Sequence, residues 1–130
     1  MRSALHRLLY VDDDPDIQII ASMALVEIGG LELLMCSSGP EALVCYGGFA
    51  PQLVLLDVMM PGMDGPETLA ALRRLPSWVE TPAVFVTAKV RNQERQRYLD
   101  LGAVEVIPKP FDPMTLADQL RAVWTRLPQA

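Results

Sequence analysis

The sequence predicts an α/β fold, a single domain built on a five-stranded parallel sheet covered by helices on both faces. Three observations carry that prediction. Short apolar runs of strand length alternate along the chain with segments of helical periodicity. The central run, Leu53-Val54-Leu55-Leu56, is apolar without interruption, as a strand buried on both faces must be. Gly and Pro cluster at most of the junctions between runs. Parallel neighbours joined through helices then require right-handed crossovers.

Taken in order, Arg7 to Val11 reads as the first strand, stopped by Asp12-Asp13-Asp14-Pro15. Asp14 suits an N-cap and Pro15 the first helical position, where no N–H donor is needed. Ile17, Ile20, Ala21, Ala24, Leu25 and Ile28 recur at helical spacing until Gly29-Gly30. Leu31 to Cys36 is a short second strand, and Ser37-Ser38-Gly39-Pro40 opens a helix carrying Ala42, Leu43 and Tyr46, with Gly47-Gly48 as its expected end. The third strand ends abruptly on Asp57. Gly65-Pro66 starts a helix with Leu69, Leu72 and Leu75 facing inward, up to Pro76. Pro82 to Thr87 is a fourth buried strand, and residues 91–101 form the most polar helix, bearing Arg91, Arg95 and Arg97. Ala103 to Ile107 is the fifth strand. A last amphipathic helix shows Leu116, Leu120, Val123, Trp124 and Leu127 before Pro128.

Composition narrows the function. A chain of 130 residues, 51% hydrophobic, suits one domain with one core, and residues 1–130 are wholly consumed by the pattern, leaving none for an attached output domain. The net charge of −5, with no dominant basic patch, argues against nucleic acid as a partner. No 18-residue apolar run exists, so no membrane span is expected, and the amino terminus lacks a signal-peptide pattern. Cys36 and Cys45 stand nine apart, in no metal-binding spacing, and read as free thiols of a cytoplasmic protein. His6, the only histidine, precedes a strand and carries no expected chemistry.

In a parallel sheet every carboxyl end lies on one edge, where open α/β sheets bind their ligands. Asp57 alone reads equally well as a cap of the turn behind it. Four of the five strands, however, end in polar groups: Asp12 and Asp13, Asp57, Thr87 and, just past the last, Lys109. The second strand lacks one, as expected of a sheet edge. Carboxylates gathered at about 4 Å repel by roughly 4 kcal/mol per pair at an effective dielectric of about 20, so such a cluster either raises a pKa or binds a cation. All-oxygen ligands without His or Cys suit a hard ion, and one or two carboxylates with water and a phosphate oxygen suit Mg2+. Lys109 adds a point positive charge and Thr87 a hydroxyl, both useful to a phosphoryl group. An Asp carboxylate can itself be the nucleophile, forming an acyl phosphate.

Val11-Asp12-Asp13-Asp14, Leu55-Leu56-Asp57-Val58-Met59-Met60-Pro61-Gly62-Met63-Asp64-Gly65, Val86-Thr87-Ala88 and Pro108-Lys109-Pro110-Phe111 together resemble the four signature blocks of bacterial two-component response-regulator receiver domains, in order and spacing over the whole chain. The resemblance is to the single-domain, chemotaxis-receiver-like form. It implies a flavodoxin-like, doubly wound sheet of order 2-1-3-4-5 with five helices. It implies that Asp57 is the phosphoacceptor, that Asp13, Asp57 and the Met59 carbonyl ligate Mg2+, and that Asp12 acts through water and by orienting the site. Thr87 and Lys109 would hold the phosphoryl oxygens, and the Lys109-Pro110 peptide would be cis. The implied donor is a histidine kinase or histidine phosphotransfer protein. The output would be contact with a downstream target protein through the fourth helix, fifth strand and fifth helix, the chain being a monomer or weak dimer. A stand-alone regulator is expected rather than a piece of a larger hybrid protein. Met59 and Lys89 flank the phosphoacceptor at positions that in this family influence phosphate loss.

One departure concerns the position three residues before Lys109, where the family usually carries an aromatic that swings inward on activation. Here it is Val106. Val104 and Val106 either pack inward as ordinary strand residues or leave an apolar patch for a partner. The arginine helix is either a solvated face or a docking surface for an acidic partner. Met59, Met60 and Met63 resemble an adaptable binding surface, with loop packing expected for at least two. Other classes fit less well. An aspartate-nucleophile phosphatase needs an acid where Met59 stands, and an FMN-binding flavodoxin needs a Ser/Thr/Gly-rich loop where three Asp stand. A degenerate receiver serving only as a scaffold would not need the whole polar set.

Overall fold

A computed structural model describes residues 3–88 and 90–128. Five parallel strands, β1 (Arg7–Val11), β2 (Glu32–Cys36), β3 (Leu53–Asp57), β4 (Ala83–Thr87) and β5 (Glu105–Pro108), form one sheet of order β2-β1-β3-β4-β5. Between and after them lie α1 (Pro15–Ser22), α2 (Gly39–Phe49), α3 (Gly65–Leu72), α4 (Asn92–Asp100) and α5 (Leu116–Arg126), and α1 continues through a π-helical stretch, Met23–Ile28. The parallel α/β sheet agrees with the reading of the sequence, and its doubly wound, flavodoxin-like strand order with what the family resemblance implies. The edge place of β2 accounts for its lack of a polar carboxyl end.

Strand alternation divides the core in two. Leu8, Tyr10, Leu53, Leu55, Val84, Val86 and Ile107 face α1 and α5, meeting Ala21, Leu25, Leu116 and Leu120. Leu9, Val11, Val54, Leu56, Phe85 and Val106 face the other helices, meeting Ala42, Tyr46, Leu69, Leu72 and Tyr98. β3 and β4 are buried along their whole length, which explains their unbroken apolar runs. Helix starts follow the expected chemistry. Asp14 accepts from Asp16 N–H with Pro15 in the first turn, Ser38 accepts from Glu41 N–H, and Asp64 forms a capping box with Glu67.

Several boundaries differ from the sequence reading. α2 does not stop at Gly47-Gly48 but runs through them to Phe49, and Ala50 ends it in a left-handed conformation at φ 52°. Tyr46, 1% exposed, stacks on Trp78 with ring centroids 5.3 Å apart, and such packing outweighs the weak helix propensity of glycine. β5 is shifted to Glu105–Pro108, because its ladder begins where Val104 N–H reaches Ala83 O. Val106 is buried at 3% exposure and Val104 is partly buried against the other layer, so both pack inward and neither supplies an exposed patch.

Candidate functional site

The carboxyl edge of the sheet is where the local geometry concentrates charge. β1 and β3 are direct neighbours, and Val11 pairs with Leu56, so the residues just beyond, Asp12 and Asp57, end side by side. Asp57 pairs with Val86 on β4, and Thr87 pairs with Pro108 on β5, which brings Thr87 and Lys109 to the same rim. Lys109 N–H donates to Thr87 O at 2.9 Å, and the Lys109-Pro110 peptide is cis, as the resemblance implied. α3 starts tight against the end of β3. Gly65 N–H donates to Val58 O, and a Cβ on Gly65 would lie 2.6 Å from Asp57 O, so only glycine fits this approach.

Carboxylate oxygens of Asp12, Asp13 and Asp57 lie within 4.8 Å of one another. Lys109 Nζ sits 2.8 Å from Asp12 Oδ2 and 3.0 Å from Asp57 Oδ1, bridging the two. A cavity of about 470 Å³ opens over the group, lined by Asp13, Asp14, Pro15, Asp57, Met59, Thr87, Ala88 and Lys109. All five polar side chains singled out in the sequence therefore meet at one rim, with Met59 exposed at its mouth. They are not equivalent. Asp12 is wholly buried, Asp57 and Thr87 nearly so, and Asp13 is exposed. Lys89 lies outside the described residues. An all-oxygen set of this kind fits a small hard cation, with Asp13 and Asp57 presenting their oxygens to the cavity.

Burial raises Asp57 above the ordinary carboxylate value. Lys109 pulls it back down, while the charges of Asp12 and Asp13 push the same way as burial, and the net shift is upward. For Lys109, burial disfavours the ammonium, but hydrogen bonds to Asp12 and Asp57 outweigh it and raise the lysine above its usual value. Among the described residues, the site thus keeps one secure positive charge with three carboxyl groups.

Two residues the sequence reading passed over hold Asp12. Tyr10 Oη donates to Asp12 Oδ2 at 3.2 Å, and Gln18 Nε2 donates to Asp12 O at 2.6 Å. Burial, then the neighbouring Asp12, lifts the Tyr10 phenol far above its ordinary value, so it stays a donor. Strand geometry carried a signal for Tyr10, since residues two apart share a face. None existed for Gln18, whose role depends on how α1 turns back over the rim.

Next to the rim, α4, β5 and α5 frame a groove of about 370 Å³ lined by Arg95, Glu105, Val106, Ile107, Pro108, Gln119, Ala122, Val123 and Arg126. Glu105 spans it, 2.6 Å from Arg95 and 3.1 Å from Arg126. The arginines of α4 and its N-cap therefore divide: Arg95 is paired, while Arg91 and Arg97 are exposed. Met60 and Met63 pack inward and Met59 does not, as expected for that loop. Partial burial works against ionisation of Glu105, yet the Val106 N–H and the two arginines hold its carboxyl below the ordinary 4.5. A lowered folded pKa means that stability is fully present above pH 4.5 and lost as pH falls through the folded value. Glu105→Gln is accordingly expected to cost about 1 kcal/mol at pH 7, the scale of partly exposed pairs, and to cost less at pH 3 than at pH 7. Urea unfolding at the two pH values checks this. An equal deficit at both would assign the loss to packing.

The sequence profile of the response regulator receiver domain matches residues 8–121. The transcriptional regulatory protein CpxR of Escherichia coli K12 is 34% identical over 122 residues, which are 94% of this chain and 50% of CpxR. The chain spans about half the length of the first curated relatives it matches. An uncharacterized 14.6 kDa protein of Leptolyngbya boryana is 36% identical over 109 residues, 84% of this chain and 82% of that protein. Among solved structures, the chemotaxis protein CheY4 of Vibrio cholerae superposes with a TM-score of 0.83 at 31% identity, covering 92% of this chain and 99% of that one. Strand order, the acidic rim and a profile match that runs through most of the sequence agree on one conclusion: the chain belongs to the response-regulator receiver-domain family of two-component systems.

Proposed function

We propose that this chain is a phosphorylation-dependent switch in which Asp57 accepts a phosphoryl group from a phosphohistidine of a histidine kinase or histidine phosphotransfer protein. Receiver domains are signalling phosphoacceptors rather than classical enzymes, and phosphorylation on Asp is the mechanism of the family. The observation that carries the reading here is the Lys109 ammonium bridging Asp12 and Asp57 at the mouth of the cavity. In the transfer, an Asp57 carboxylate oxygen attacks phosphorus, the P–N bond to imidazole breaks, and the imidazole nitrogen leaves with the bonding pair. Lys109 then moves from Asp57 Oδ1 to a phosphoryl oxygen, and the Thr87 hydroxyl donates to another. The family generally binds Mg2+ at such a pocket. Asp13, Asp57 and the Met59 carbonyl would hold it in this chain, with Asp12 orienting the set. Bound there, the ion supplies positive charge against the phosphoryl oxygens.

The receiver unit of this reading spans residues 1–130, acts in the cytoplasm as a monomer or weak dimer, and signals to a downstream protein through the α4, β5 and α5 groove. The described residues contain no helix long and apolar enough to cross a membrane. With Val106 in place of an aromatic, movement of Thr87 toward the phosphoryl group is the signal that reaches this groove, since Thr87 pairs directly with Pro108. With acetyl phosphate and Mg2+, wild type is expected to shift on a phosphate-affinity gel, and Asp57→Asn is not. Equal labelling of the two would overturn the assignment. Beryllofluoride with Mg2+ is expected to raise the melting temperature of wild type and not of Asp57→Asn.

A further inference from the structure

Tyr10 lies mid-sheet in the layer facing α1 and α5, wholly buried among Leu8, Ala21, Leu55 and Leu116. Packing at such a position asks for an apolar side chain, yet this one carries a hydroxyl. That hydroxyl is directed along the strand to Asp12, two residues on and on the same face, and donates to Oδ2 at 3.2 Å. The same oxygen accepts from Lys109 Nζ at 2.8 Å. Oδ1 is taken by Asp14 N–H at 3.0 Å. Asp12 is 0% exposed, so its charge is distributed among these protein donors.

We infer that Tyr10 is a positioning residue for phosphoryl transfer, its hydroxyl sharing the charge of Asp12 Oδ2 so that Lys109 is held loosely enough to move from Asp57 to the incoming phosphoryl oxygen. The inference rests on the phosphoacceptor reading of Asp57. Two donors on one oxygen each receive a weaker bond than one donor alone would. Without the hydroxyl, the full charge of Oδ2 falls on the ammonium, which also keeps its 3.0 Å contact with Asp57 Oδ1. The ammonium is then held more firmly at Asp12, and the barrier to carrying it across to the incoming phosphoryl oxygen rises, while the route by which a small phosphodonor enters the cavity is untouched.

The test compares wild type and Tyr10→Phe for phosphorylation by acetyl phosphate in Mg2+, each alone and in an Asp12→Asn background. Loss of a hydrogen bond to a charged group in a water-poor site is expected to slow the saturated rate on the order of tenfold, with the half-saturating acetyl phosphate concentration unchanged. In the Asp12→Asn background the same change is expected to have no effect, since there is no charge to share. Replacement of Tyr10 by 4-aminophenylalanine, which keeps the ring and an N–H donor, is expected to retain the wild-type rate. An unchanged rate in Tyr10→Phe, with wild type still labelled on Asp57, overturns this inference and leaves the phosphoacceptor reading standing. An equal drop in both backgrounds overturns it by assigning the effect to packing. Failure of wild type to label overturns both. Should Tyr10→Phe not fold, Tyr10→Met fills the same layer without a hydroxyl and is read by the same outcomes.

Discussion

Lys109→Met is expected to lower stability by about 3 kcal/mol in metal-free buffer, the lower end of the range for breaking a buried ion pair. The lysine side chain is 17% exposed and is the cation in contact with both Asp12 and Asp57, whose side chains are 0% and 7% exposed. Methionine keeps most of the stem and removes the charge, so the loss is electrostatic. Its pH dependence follows from the carboxylates left behind. Asp57 is already raised by burial and by Asp12 and Asp13 against the pull of Lys109, and without Lys109 it rises further. The folded variant then retains a proton that the unfolded chain releases near pH 4, so its stability falls as pH rises through the interval above that value. The deficit relative to wild type is expected to be larger at pH 8 than at pH 5 in urea unfolding. A deficit independent of pH would contradict the charge argument. The same variant is expected to lose about 10²- to 10³-fold in phosphorylation rate, the scale of removing one preorganised donor. Saturating Mg2+ is expected to restore part of the stability and little of the rate.

Phe85→Ala is expected to cost about 3–5 kcal/mol. Phe85 is the middle residue of β4, wholly buried, between Leu56 and Val106 on the neighbouring strands. Its ring meets Tyr98 of α4 edge-on, with centroids 5.3 Å apart at 62°. Truncation leaves a void between the sheet and α4 that a close-packed core fills only in part. Phe85→Leu keeps most of the volume and is expected to cost less than about 1.5 kcal/mol. Chemical denaturation of the pair checks both values. Similar losses in the two would show that the edge-on contact with Tyr98 matters more than volume.

The strands were legible because burial on two faces leaves a mark in composition. Leu53-Val54-Leu55-Leu56 and Ala83-Val84-Phe85-Val86 had no other plausible place. The N-cap at Asp14 was equally plain, since capping is a contact between residues two or three apart, and the structure adds the caps at Ser38 and Asp64 to helix starts that Gly39-Pro40 and Gly65-Pro66 had marked. The end of α2 was not. Two glycines in succession signal a stop by propensity, and the stacking of Tyr46 on Trp78 overrides it. Val106 shows the same limit from the other side. A strand valine beside a charged helix can face in or out, and only its place opposite Phe85 settles that it faces in.

What the sequence by itself determined is the periodic order of elements and the polar residues at the ends of the strands, because both are written in side chains a few positions apart. Tertiary structure alone decided how those polar residues divide the work of the rim. Asp12 and Asp13 are adjacent and chemically identical, yet one is sealed beneath Tyr10, Gln18 and Lys109 and the other faces the cavity. Likewise Arg95 is clamped by Glu105 while Arg91 and Arg97 are exposed, the Arg97 guanidinium lying over the Tyr98 ring. The reason is physical. Charge at a buried site is governed by desolvation and by partners such as Lys109, distant from Asp12 along the chain, and those contacts exist only once the sheet has brought the strand ends together.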